Sequence, residues 1–244
     1  MISTEYYDLL FNGLDDGLRV REIVHGVSWT AAVLSDGRTG VAMHTAGETA
    51  PRLFPSLEGL PLKLAAQAVM SWNMEEASEG LAAVNAFYNT GAHIDALGLP
   101  GRSSALEGVD VTGRTVGFIG HLVSHSGITE ELLAPAKAYY IMEREPREGD
   151  YPDSACEYLL PDCDLVVITG SAAINKTLPR LLQLAAHAEV VMTGPSVTLC
   201  PELMGLGIRR MHGSAIVESE AMLRGIVEKR CSVNPWSRHF TLDA

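Results

Sequence analysis

The sequence predicts an α/β protein: an N-terminal α+β half followed by a half built on a parallel sheet. Three observations carry this reading. Leu165-Val166-Val167-Ile168 is a short apolar run with three β-branched residues, the mark of a strand buried on both faces. It runs into the small, polar Thr169-Gly170-Ser171, and then Leu178, Leu181, Leu182 and Ala185 follow at helical spacing. Such strand, loop and helix units recur after residue 114, whereas before residue 90 short strands follow one another and helices come after them.

Composition limits the function classes. The chain has 244 residues, enough for two modest domains, and 47% of them are apolar. A net charge of −12 argues against a general nucleic-acid or anionic-membrane surface. No window approaches the roughly 18 uninterrupted apolar residues of a membrane span. Met1 to Tyr7 is polar and acidic, unlike a signal peptide. Cys156, Cys163, Cys200 and Cys231 form no CxxC pair and read as reduced thiols. A cytoplasmic protein is the expectation.

Taken in order, residues 1–19 predict a helix, with Tyr6, Leu9, Leu10, Leu14 and Leu18 on one face. Arg19 to Val24, Trp29 to Leu34 and Thr39 to Thr45 predict strands, the last two joined through Ser35-Asp36-Gly37-Arg38. Asp-Gly there supplies the positive φ that a hairpin needs. Residues 46–62 contain three prolines and read as loop. Leu64 to Met70 predicts a short helix and Glu75 to Asn89 a longer one, with an apolar stripe through Ala77, Leu81, Val84 and Tyr88. Glycines crowd residues 90–113 without periodicity, which marks a connection. The domain reading is therefore 1–92, a linker over 93–113, 114–230, and a polar, loosely ordered tail over 231–244.

The second half alternates. Thr115 to Ile119, Ala138 to Met142, 165–168, Glu189 to Met192 and, more weakly, Gly207 to Met211 predict strands. Helical segments are expected at Ile128 to Leu133, at Ala155 to Leu160, after the Thr169-Gly170-Ser171 loop to about Ala186, and at Glu218 to Arg230. In open parallel sheets ligands sit beyond the carboxyl ends of the strands. Those ends are Gly120-His121, Glu143-Arg144, Thr169-Gly170-Ser171, Gly194-Pro195-Ser196 and His212-Gly213. They should meet on one rim.

Each rim residue has a functional and a structural reading. Gly117-Phe118-Ile119-Gly120 breaks the G-x-G-x-x-G dinucleotide fingerprint, but Glu143 stands where an acid often accepts a ribose hydroxyl. It is equally an exposed acid between arginines. Either Asn175 or Thr177 caps the next helix, with Pro179 just inside it. If Thr177 caps, Asn175 is free to face a ligand. Ser196 either binds an anion or caps the segment that follows. His121 and His125 would share a face if they lay on a helix and could then pinch a metal, although Ser124 and Gly127 weaken that helix. His212 and Cys200 lie on the same rim as further potential ligands. On the helix over 75–89, Asn85 and Asn89 either brace the fold or line a cleft.

These residues resemble one family. Asn85-Ala86-Phe87-Tyr88-Asn89, Val116 through Gly120-His121, Glu143-Arg144 with Gly149-Asp150, Asp164 through Thr169-Gly170 to Asn175 and Thr177, and Gly194-Pro195-Ser196, in this order, are similar to the prokaryotic heavy-metal chelation family. The resemblance spans roughly residues 5–230. It implies an N-terminal domain like that of enolase, a Rossmann-like second domain, and a site between them. The implied cleft residues are Asn85, Gly120, His121, Glu143, Thr169, Gly170, Asn175, Gly194, Pro195 and Ser196. Ser171 joins them from the rim, and His121 is the metal candidate. The chain shows no dense thiol or histidine cluster of the kind that soft metals favour.

Two functions follow. One is binding of a small anionic ligand or metal complex in the inter-domain cleft, in heavy-metal handling, with a transition metal as the implied cofactor. The other is an enzyme that acts on an anionic metabolite with a nucleotide-like or S-adenosylmethionine-like cofactor. A purely structural partner is a third reading, disfavoured by five polar strand ends. The expected partners are a small-molecule or metal ligand, not nucleic acid or membrane. Trp29, Phe54 and Trp72 are the large apolar residues a homodimer would use.

Overall fold

The computed structural model describes residues 4–45 and 50–244. The expected helix over 1–19 and loop over 46–62 therefore fall partly, at 1–3 and 46–49, outside the described residues. The first half is a helix, α1 (Glu5–Asn12), then an antiparallel meander, β1 (Val20–His25), β2 (Trp29–Leu34) and β3 (Thr39–Met43). Two helices cover it, α2 (Leu62–Ala66) and α3 (Met74–Tyr88). The hairpin turns where Asp-Gly stands, with Gly37 at φ 91° and the Leu34 N–H on the Arg38 carbonyl.

α3 carries more than one buried face. The sequence shows a single apolar stripe, yet nearly every residue of this helix is buried. Small residues on the other faces explain the difference. A side chain at Gly40 of β3 would lie 2.1 Å from the Ala86 nitrogen, and one at Gly80 would lie 2.5 Å from the Val69 nitrogen. Glycine at both places lets the helix lie directly on its neighbours. Asn73 starts the helix, accepting the Glu76 N–H.

The second half holds β4 (Thr115–Ile119), α5 (Glu130–Leu133), β5 (Ala138–Glu143), β6 (Tyr151–Pro152), α6 (Cys156–Leu159), β7 (Leu165–Thr169), α7 (Leu178–Leu184), β8 (Glu189–Thr193), β9 (Ile208–Ile216), α8 (Ser219–Val227) and β10 (Ser237–Asp243). Ahead of it, residues expected to be only a connection include α4 (Gly91–Leu97), capped by the Thr90 hydroxyl and ended by Gly98 at φ 63°. The strands form one sheet in the order β10-β9-β8-β7-β4-β5-β6. All pairs are parallel except β10 with β9. Counted from β4 in chain order, β6 to β9 read 3-2-1-4-5-6, a doubly wound order. The chain thus shows the mixed α/β architecture read from the sequence.

Three local expectations need correction. The tail, expected to be loosely ordered, forms β10, because it pairs with β9 from Ser237 opposite Ile216 to Asp243 opposite Arg210. For the same reason β9 runs on to Ile216 instead of fading at Met211. The stretch read as a plain loop after residue 168 carries a 3-10 turn over Gly170–Ala173, and α7 then starts at Leu178, where a cap position at Thr177 puts it. Lys176 at φ 64° breaks the path, and Pro179, lacking an N–H, sits at the start of α7, where that costs little.

The two halves share one core. A single apolar cluster runs from Leu10, Leu81 and Ile94 to Val166, Ile168, Ala172 and Leu199. A second lies on the other face of the large sheet, around Phe118 and Val167. α8 closes over the meander, with Met222 and Ile226 against Ala31 and Val41. The amino-terminal half therefore sits on the segments that follow β7 and β8, at the carboxyl ends of the parallel strands.

Candidate functional site

The strand order fixes where a ligand site is expected. From β4 the chain goes to one side for β5 and β6, then to the other for β7, β8 and β9. The reversal lies between β4 and β7, and ligands in such sheets bind there. Gly120 directly follows β4 and Thr169 ends β7. Gly120 has φ 97°, and a side chain on it would fall 3.1 Å from the Thr169 methyl carbon. Glycine keeps this opening clear.

His121 follows, held at two points. Its backbone N–H donates to Glu143 Oε2 at 3.0 Å, and the other Glu143 oxygen accepts the Arg144 N–H at 2.7 Å. Its ring Nδ1 lies 3.2 Å from Asp150 Oδ2. Asp150 is nearly buried, with 4% of its side chain exposed, and also accepts the Arg147 N–H. A buried carboxylate on Nδ1 fixes the ring and leaves Nε2 as the free lone pair. His125 approaches edge to face at 6.4 Å, with its own Nδ1 on the Val123 carbonyl. The two histidines do not share a helix: Ser124 and Ser126 are left-handed, at φ 70° and 51°, and make this a turn. Asp150 was not among the site residues read from the sequence, though Gly149-Asp150 stood in the motif set.

The rim continues without a gap to β8. The Thr169 and Ser171 hydroxyls are 3.1 Å apart. A side chain at Gly170 would meet the Val197 nitrogen at 2.5 Å, so this loop lies against the one after β8. Gly194 and Pro195 are half-buried at its start, with the Gly194 N–H on the His212 carbonyl. Ser196 is buried, and its hydroxyl accepts the Met43 N–H at 2.8 Å. Asn85 is buried as well, donating to the Val41 carbonyl and accepting from the Thr198 hydroxyl. Asn89 donates to the Val197 and Ser214 carbonyls and accepts the Leu199 N–H. Asn85, Asn89 and Ser196 thus tie the two halves together.

Asn175 stands apart. Its side-chain oxygen accepts both the N–H and the hydroxyl of Thr177. Thr177 occupies the cap position of α7 without capping it. Between them Lys176 donates to the Ile174 carbonyl at 2.6 Å and lies 5.9 Å from the centre of the Trp72 ring. Burial lowers its pKa to about 8. His212 and Cys200 do not join the rim as ligands. His212 is buried on the Thr241 hydroxyl and stacked on His239, and burial pushes it down to about 4. The Cys200 thiol donates to Glu202, and burial pushes it up to about 12.

A second polar cluster escaped the sequence reading. His25 ends β1, His44 follows β3, and Glu75 and Glu79 lie on the first turns of α3. The Glu79 hydrogen bond raises the pKa of His25, and burial lowers that of His44. These residues are far apart in sequence and form no motif, so no signal in the chain pointed to them.

A two-half α/β protein with polar loops at the strand reversal of a doubly wound sheet is the class this geometry defines. Family models place the chain. One, DUF364, described as "Putative heavy-metal chelation", matches residues 105–235, and another, DUF4213, with the same description, matches residues 7–88. The chain belongs to the DUF364 family. It is similar to a DUF364 family protein of unknown function from Desulfitobacterium hafniense, with 35% identity, 99% of this chain and 98% of that one covered, and a TM-score of 0.86. A second DUF364 family protein of unknown function, from Pyrococcus horikoshii, shares the fold at a TM-score of 0.81 and 22% identity, with 100% of each chain covered. An uncharacterized protein of Methanocaldococcus jannaschii is 27% identical over 160 residues, 63% of this chain. The match covers 60% of that relative's length. Both family descriptions point to ligand or metal binding. No helix among the described residues is long and apolar enough to cross a membrane.

Proposed function

We propose that the protein binds a small anionic ligand, or a metal ion complexed by one, in the crevice between its halves, and that this binding serves heavy-metal handling. The run of neighbouring strand-end residues is the observation that carries the reading: Glu143 holds His121, any side chain at Gly120 would crowd Thr169, Thr169 holds Ser171, and Gly170 lies against the loop of Ser196. In this reading Gly120 and Gly170 let the ligand or the neighbouring loop approach the backbone. One of the paired Thr169 and Ser171 hydroxyls donates to it, and His121 offers Nε2, oriented by Asp150. Asn85 and Ser196 hold the walls, Gly194 and Pro195 shape the loop after β8, and Asn175 keeps the 170–177 loop in place.

The test is a thermal-shift series on the full chain with citrate, phosphate and nickel citrate. A rise in Tm that disappears in Ser171→Ala and His121→Ala, with unchanged circular dichroism, is the expected result. No ligand-dependent shift in the wild-type chain would remove the reading.

The doubly wound, Rossmann-like order favours a second reading, an enzyme for an anionic metabolite with a nucleotide-like cofactor. Glu143 closes the second strand of that order, where a ribose would sit. Adenosine-containing ligands should then raise Tm in the wild type and not in Glu143→Ala.

A further inference from the structure

We propose that His25, His44 and Glu75 bind one borderline divalent cation, of the zinc, nickel, cobalt and copper(II) class, at a site separate from the crevice. One donor atom from each of the three lies within 4.8 Å of the other two. The site is assembled by the meander and α3. β1 and β3 flank β2, so the carboxyl end of β1 and the residue after β3 come to the same side, over the first turn of α3.

The second nitrogen of each histidine is already occupied. His25 Nε2 lies 3.2 Å from Glu79 Oε1, while its Nδ1 faces Glu75 at 3.8 Å. Glu79 is buried and gripped by two guanidinium nitrogens of Arg52, so it cannot swing away. His44 Nδ1 lies 3.0 Å from the Thr30 hydroxyl, which is fully buried. That leaves Nδ1 of His25 and Nε2 of His44 as the free lone pairs. Metal-binding histidines are held in this way, by a carboxylate or hydroxyl on the far nitrogen.

The spacing fits a single ion. With bonds of about 2.1 Å, donors around a tetrahedral ion stand about 3.4 Å apart. The closing movement falls to Glu75, whose side chain is about half exposed, whereas the histidines are pinned. The two rings meet edge to face, with centroids 5.8 Å apart and planes at 73°.

Donor chemistry selects the metal. The set is two imidazoles and a carboxylate, with no sulfur. Cys156, Cys163 and Cys200 are buried in the other half. Imidazole and carboxylate suit borderline divalent ions, while thiophilic ions need cysteine. The cluster shares no residue with the crevice, though it borders the seam: Met43, the neighbour of His44, donates its N–H to Ser196. The inference therefore stands or falls apart from the crevice reading.

Equilibrium dialysis of the full chain against Zn(II) and Ni(II) tests it. About one equivalent should remain on the wild type. His25→Ala and His44→Gln should each lose affinity by well over tenfold, and Glu79→Gln or Thr30→Val by about 10–100-fold, the effect of removing an orienting partner. Cys231→Ser, at an exposed thiol outside the three donors, should bind as the wild type does. Circular dichroism of each variant separates lost binding from lost fold, and Glu75→Gln, at an exposed side chain, gives a variant that cannot fail by unfolding the core. Cobalt(II) should give a spectrum without thiolate charge transfer. The proposal is overturned by a wild type that retains no metal, by retention that survives His44→Gln and Glu75→Gln, or by a thiolate band that vanishes in Cys231→Ser.

Discussion

The Thr198 hydroxyl, on the loop beyond β8, donates to the side-chain oxygen of Asn85, in the last turn of α3, and so joins the two halves through a fully buried hydrogen bond. The Asn85 amide reaches the other way, to the Val41 carbonyl of β3. One residue therefore ties helix, meander and parallel sheet together. Asn85→Ala leaves a buried carbonyl and a buried hydroxyl without partners, at about 1–3 kcal/mol for each group. Urea denaturation should show a loss of at least about 2 kcal/mol. A loss below about 0.5 kcal/mol would mean that the seam does not depend on this bond.

Gly40 is a packing requirement rather than a flexible joint. A methyl group there would sit 2.1 Å from the Ala86 nitrogen and 2.5 Å from the Ala82 oxygen, both backbone atoms. Gly40→Ala must lift α3 off β3, and overpacking of this kind costs about 3 kcal/mol. Thermal unfolding of the variant should fall by many degrees. Gly37→Ala, where nothing lies within 4 Å but φ is 91°, should cost less.

The Asp150–His121 pair predicts a separation of binding from stability. Asp150→Asn keeps the shape but can present its amide nitrogen to the ring, which disturbs the tautomer that leaves Nε2 free. Ligand-induced thermal shifts should shrink, while the unliganded Tm moves by no more than a few degrees. An equal fall in both would make Asp150 a structural residue only.

His212 gives the protein a pH dependence of known sign. Buried between Thr241 and His239, it is pushed from 6.5 to about 4. The unfolded chain takes up a proton at this residue near pH 6.5, and the folded chain does so only near pH 4. Between those values the unfolded state binds more protons, so stability falls as pH falls. The contribution is complete above pH 6.5 and gone below pH 4. At about 1.4 kcal/mol per unit, it amounts to about 3 kcal/mol. Urea midpoints at pH 7 and pH 4.5 should differ more for the wild type than for His212→Gln. Equal differences would mean that the imidazole titrates normally in the fold.

Much of the fold was legible from the chain. The central strands declare themselves because they are buried on both faces and are apolar throughout, as Leu165 to Ile168 shows. The Asp36-Gly37 turn is a local preference, so neighbouring residues suffice to find it. The carboxyl-end loops follow from strand direction alone, which is why the placement of Gly120, His121, Glu143, Thr169 and Ser171 at the ends of β4, β5 and β7 could be read without coordinates. β10 was not, because Ser237 to Asp243 is a strand only in partnership with β9. Nor was the buried surface of α3, since alanine and glycine do not announce which neighbour will lie against them.

The sequence by itself determined the alternation of elements and the end of the sheet where polar loops gather, because both depend on contacts between residues close along the chain. Tertiary structure alone decided that Asn85 faces Thr198, that Asp150 orients His121, and that His25, His44 and Glu75 converge over one turn of helix. Those pairings are set by how sheets and helices stack, a long-range balance of apolar burial and backbone approach that no local pattern records.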